Sequence, residues 1–90
     1  MGNANRLRPD RLAAKLLAIR STLKLSQLEL AERLSTDLIQ LRKSDISRYE
    51  SGLRQPVLRI LLRYARLAKI STDILIDDEM DLPMKFRSNS

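Results

Sequence analysis

Between Leu25 and Pro56 the chain carries helix punctuation at a spacing that leaves room only for short helices. Ser26 stands just before Leu30, Ala31 and Leu34, with Glu29 three residues on. In this Ser-x-x-Glu arrangement the serine oxygen and the glutamate carboxylate each accept a free backbone amide of the first turn. Ala31 adds a small side chain over which a neighbouring helix can approach closely. Ser44 then stands as the N-cap of a second short helix, whose Ile46 and Tyr49 share one face. Gly52 follows where a helix can close in the left-handed conformation, and Pro56 stands where a long helix can start without losing a hydrogen bond. Two short helical patterns thus stand in tandem. The second keeps a polar, basic outer side.

Helical periodicity extends on both flanks. Asp10 is placed as an N-cap for Leu12, Leu16, Ile19 and Leu23, with Ala13 and Leu17 widening the stripe. From Ser35 to Lys43 the pattern blurs, because Ser35, Thr36 and Asp37 compete for backbone hydrogen bonds. The expectation is a break, with Leu38, Ile39 and Leu41 returning to the core; a separate turn capped by Asp37 is the alternative. Leu58, Leu61, Leu62, Ala65, Leu67 and Ala68 give the long fourth helix its apolar face, and Ser71 or Thr72 caps a short fifth helix through Ile76. Tyr49 and Tyr64 lie in phase with buried aliphatics and read as core. The division predicted is a basic arm over residues 1–9, one all-α domain over 10–76, and an acidic then basic tail over 77–90 with little to bury.

Ninety residues support one modest core. With no Cys and no His, the chain lacks disulfides, thiolate nucleophiles, the common zinc ligands and the usual general base. No cofactor, metal site or catalysis is expected. No apolar run approaches the roughly 18 residues of a membrane span, and the N-terminus lacks the apolar stretch of a secretory signal, so a cytoplasmic protein is expected. Charge is uneven along the chain. Residues 38–69 hold eight bases against two acids, whereas residues 70–90 hold five acids against two bases. A polyanionic partner suits the basic middle, although charge alone does not separate nucleic acid from anionic lipid.

The ordered series Arg20, Leu25-Ser26-Gln27, Leu30-Ala31, Leu34, Ile46-Ser47-Arg48, Glu50, Gly52, Pro56, Ala65 and Ser71 resembles the Xre/Cro-type helix-turn-helix regulators. The resemblance covers roughly Leu12 to Ile76. It implies a compact five-helix, lambda-repressor-like domain whose third helix lies in the DNA major groove while the second crosses the phosphate backbone. Double-stranded DNA would be the partner, and a transcriptional repressor acting as a homodimer the function. By position, Lys43, Ser44, Ser47 and Arg48 would read base edges, with Arg48 suited to a bidentate bond with guanine. Gln27, Arg42 and Arg54 would hold phosphates, and Arg20 and Glu50 would form a cross-helix ion pair. One departure is visible: eleven residues separate Leu34 from Ile46, an elongated connection for this family.

Other surfaces admit plainer readings. Arg59, Arg63 and Arg66 share a helix face, as a solvated stripe, as contacts to outer phosphates, or as partners of the acidic segment 77–81. Dimer contacts are expected from the fifth helix and from Ile74, Ile76, Leu82 and Met84. A competing reading makes the domain a protein-interaction module, such as an antitoxin-like partner, working through Leu28, Leu38, Ile39 or the tail.

Overall fold

The computed structural model describes residues 10–87, so the arm over residues 1–9 and the final residues 88–90 lie outside it. Five helices follow in order: α1 (Leu12–Leu23), α2 (Gln27–Leu34), α3 (Lys43–Ser51), α4 (Leu58–Ala68) and α5 (Thr72–Ile76). A 3-10 turn at Met84–Phe86 comes last, and no strand occurs among the described residues. The protein is all-α. Leu16, Ile19, Leu30, Ile46, Ile60, Tyr64 and Leu75 are fully buried, which places one core where the five helices meet.

Helix boundaries follow local hydrogen bonding. Ser26 Oγ accepts the Glu29 amide at 3.0 Å while the Glu29 carboxylate accepts the Ser26 amide at 2.8 Å, the reciprocal cap that starts α2. Gly52 ends α3 at φ +80°, where a side chain would be strained. Residues 35–42 are non-helical and carry Ile39 and Leu41 back against the core. Thr36 organises this connection, since its hydroxyl accepts the amides of Leu38 and Ile39. Asp37 does not. Leu38 departs from expectation, being 79% exposed, because the tight turn at Thr36 points it outward while Ile39 turns in.

Pro56 is buried but lies just before the α4 N-cap, Val57. Helix α4 therefore begins two residues later than the proline's rigid φ invites, and its buried side is Ile60, Leu61, Tyr64, Ala65 and Ala68. Leu58 and Leu62, expected on the inner face, are exposed, as is Leu17 on α1.

The larger correction concerns the tail. Leu82 and Phe86 are buried in the common core, so this segment belongs to the packed body. Phe86 is the chain's one phenylalanine and brings a large apolar area. Pro83 precedes the 3-10 turn that seats this ring beside α1. Leu82 is thereby removed from the residues available for a dimer contact.

The same return path supplies the cap of α1. Asp10 does not cap it; the Asp78 carboxylate does, accepting the Asp10 and Arg11 amides at 2.8 and 3.1 Å. One carboxylate thus serves two unpaired amides at the positive end of the helix. Arg11 adds hydrogen bonds to the Asp78 carbonyl and the Asp81 carboxylate. One turn along, Lys15 is buried, and its ammonium donates to the carbonyls of Ile74 at 2.6 Å and Asp77 at 3.0 Å, where α5 ends. Burial pushes the Lys15 pKa down, with the neighbouring Arg11 charge acting in the same direction. Backbone hydrogen bonds hold the Asp78 carboxyl below its ordinary value, and the Arg11 hydrogen bond does the same for Asp81.

Two expectations follow. Phe86→Ala lowers unfolding stability in urea by about 3 to 5 kcal/mol, the cost of emptying a buried aromatic site. Because the folded pKa values of Asp78 and Asp81 are depressed, their contribution is complete above the unfolded value near 4 and is lost as pH falls through the folded value. The stability gap between wild type and Asp78→Asn should therefore close in acid, as chemical unfolding measured from pH 7 downward will show.

Candidate nucleic-acid interface

Helix α3 is divided lengthwise. Ile46 and Tyr49 are buried against the core, while Lys43, Ser44, Ser47 and Arg48 are exposed. The four exposed positions fall on one side because they are spaced by one turn of helix. Arg42 immediately precedes this helix, and Arg54 lies two residues past its capping glycine; both are exposed. Helix α2 packs on α3, and Ala31 of α2 is fully buried.

A buried carboxylate fixes the angle of α3. Glu50, whose side chain is only 6% exposed, receives Arg20 Nε at 2.6 Å and the second terminal nitrogen of Arg20 at 2.9 Å. Gln27 Nε2 donates to the same carboxylate at 3.1 Å. The remaining Arg20 nitrogen donates to the Leu25 carbonyl at 3.0 Å. Helices α1, α2 and α3 thus meet at one charged node. The Glu50 hydrogen bond raises the Arg20 pKa further. Tyr64, buried nearby, has its phenol pushed up chiefly by burial and then by the Glu50 charge.

Asp45 is a residue that sequence reasoning overlooked. Ser44 was the expected cap, yet α3 starts at Lys43, which puts Ser44 inside the first turn. The Asp45 carboxylate instead reaches back to accept the Arg42 amide at 2.8 Å. Its other oxygen lies 3.5 Å from Arg54 and 3.9 Å from Arg48. An acidic residue three positions after the helix entry was the available clue.

The arginine stripe of α4 splits. Arg63 donates to the carbonyls of Leu34 at 2.7 Å and Arg33 at 2.9 Å, closing the C-terminal end of α2, whereas Arg59 and Arg66 are exposed. The acidic segment 77–81 engages Arg11 and Lys15 of the α1 region and leaves α4 alone. Leu28 and Leu38 are exposed, but Ile39 packs on the core and so does not join them in an outer patch. Of the expected dimer residues, Met84 and Ile76 are exposed and Ile74 is half-buried.

Among the described residues no three acidic side chains gather into a group able to hold a metal ion, and no helix is long and apolar enough to cross a membrane. Compared with family models, with curated proteins and with solved structures, the chain gives no match.

The node and the exposed row differ in what their loss removes. Arg20→Ala leaves Glu50 buried without its cation, a change that costs about 3 to 5 kcal/mol. Arg48, half exposed and only loosely paired, contributes little to stability. Thermal unfolding should therefore show a clearly lower midpoint for Arg20→Ala than for Arg48→Ala; equal midpoints would refute this assignment of the node.

Proposed function

We propose that the protein is a sequence-specific double-stranded DNA-binding regulator of the Xre/Cro helix-turn-helix type, a repressor that acts as a homodimer. The observation carrying this reading is the lengthwise division of α3, sealed on its apolar side and lined with Lys43, Ser44, Ser47 and Arg48 on the other. A helix with its side chains is about 10 to 12 Å across and enters a major groove about 12 Å wide. In that placement Arg48 reads a guanine edge through two hydrogen bonds, and Lys43, Ser44 and Ser47 meet neighbouring base edges. Arg42 and Arg54 grip phosphates at the two ends of the helix and set its register.

Gln27 has a double assignment. One amide hydrogen goes to Glu50, and the second remains for a phosphate where α2 crosses the backbone. The Glu50 node thereby supports the phosphate contact as well as the helix angle. The elongated connection of residues 35–42 sets this chain apart from the short turn of the family, yet the Thr36 turn and the return of Ile39 and Leu41 absorb the extra length.

Exposed Leu28 and Leu38 favour a second reading, an interaction module that holds another protein. Selection of bound duplexes from a random pool separates the two. The expected product is a two-fold related sequence with half-sites about 34 Å apart. Arg48→Ala should then lose about 1 to 3 kcal/mol of discrimination at one base pair, while Arg54→Ala weakens all duplexes alike and lowers the salt slope by about 0.9. Wild-type discrimination in Arg48→Ala would remove the base-reading role. No selected sequence, together with a partner protein that co-purifies after nuclease treatment, would favour the interaction module.

A further inference from the structure

Two carboxylates belong to α3, and they stand in different circumstances. Glu50 is committed to Arg20 and Gln27. Asp45 stands among the arginines at the outer side, its side chain 15% exposed. One Asp45 oxygen holds the Arg42 amide at 2.8 Å, so the group cannot swing away without uncapping α3. The other faces Arg54 at 3.5 Å and Arg48 at 3.9 Å. A fixed negative charge is thus set between a proposed base reader and a proposed phosphate grip.

We infer that Asp45 is a specificity-determining residue, a stationary carboxylate that withholds Arg48 from phosphates and releases it to a guanine edge. The inference rests on the duplex-reading function proposed above. Two kinds of acceptor compete for the Arg48 guanidinium when a duplex approaches. A phosphate is anionic, so the Asp45 charge repels it and, lying also 3.5 Å from Arg54, weakens the hold of either guanidinium on it; only Arg48 has a base edge as the alternative. The O6 and N7 edge of guanine is a neutral, planar pair of acceptors that matches the guanidinium fork without such repulsion. Exposed pairs like Asp45 with Arg48 contribute little by themselves, so Arg48 leaves at small cost once the bidentate edge is offered. On a duplex lacking guanine there, Arg48 stays with Asp45 and adds nothing to backbone binding. The carboxylate lowers indiscriminate affinity more than selective affinity.

The test uses the full chain as wild type, Asp45→Asn and Asp45→Glu, titrated at several salt concentrations against the selected duplex and a scrambled one. The asparagine oxygen still accepts the Arg42 amide, so the cap survives while the charge is removed. Asp45→Asn should bind the scrambled duplex about fivefold tighter, the equivalent of about 1 kcal/mol for one charge pair at such a distance in water. Its salt slope on that duplex should steepen by about 0.9, one added phosphate contact, and should not do so when Arg48→Ala is combined with Asp45→Asn, which separates Arg48 from Arg54 as its source. The selected duplex should gain less, so the ratio of the two affinities falls, and Asp45→Glu should restore it. If the asparagine variant melts early, Asp45→Gln keeps a neutral oxygen long enough to accept the Arg42 amide and takes its place. A ratio that stays level or rises, or an equal loss on both duplexes with an unchanged slope, overturns the role of Asp45. A wild-type chain that selects no duplex overturns the reading beneath it as well.

Discussion

The Glu50 carboxylate, nearly enclosed and shared by Arg20 and Gln27, fixes the rest of the arrangement because three helices meet at its two oxygens. A buried carboxylate needs partners for its oxygens, and here a bidentate guanidinium and an amide donor supply them in fixed directions. Direction matters here more than energy. Burial of Ile46 and Tyr49 turns the apolar side of α3 inward, and the node holds the helix at that rotation through hydrogen bonds of defined direction. Any function assigned to Lys43, Ser44, Ser47 and Arg48 therefore depends on a contact that none of them makes.

Helix α1 is the member that carries this node to the rest of the chain. Its C-terminal half holds Arg20, and its N-terminal end is closed by Asp78, with Lys15 buried against the last carbonyls of α5. The returning segment 77–87 thus anchors the far end of the helix that positions α3. Phe86 and Leu82 make that anchor apolar as well as polar. Salt weakens the exposed Arg11 to Asp81 pair but not the packing beneath it, so the two parts of the clasp respond differently to ionic strength.

Local rules make much of this legible in the sequence. The Ser26 and Glu29 cap, the Gly52 ending, the break after Leu34 and the inward placement of Tyr49 and Tyr64 each depend on neighbours a few residues apart, which periodicity records. What was missed depends on partners distant in sequence. Asp78 lies 68 residues from the Asp10 amide it accepts, and Arg63 lies 29 from the Leu34 carbonyl it closes. No spacing rule links such pairs. The acidic composition of residues 77–81 also hid the apolar role of Leu82 and Phe86, because low average hydropathy obscures two well-placed side chains. Arg20 and Glu50 were accessible only through family resemblance, since a distance of 30 residues carries no periodic mark.

Positive charge is a poor guide to the working surface of this chain, because its cations have separate occupations. Arg20 is tied to Glu50, Lys15 to the end of α5, Arg63 to the end of α2 and Arg11 to Asp78 and Asp81. Each satisfies carbonyls or a carboxylate of the fold, as cations near helix C-termini commonly do. With these set aside, Arg42, Lys43, Arg48 and Arg54 form a local group around α3 that Asp45 only partly offsets, while Lys24, Arg33, Arg59, Arg66 and Lys69 are exposed elsewhere. A net charge of +6 describes the whole chain, whereas a polyanion responds to the bases that remain uncommitted and share a side. The structural cations still matter to that surface, since Arg20 ties α3 to α1 and so helps to hold its exposed bases outward.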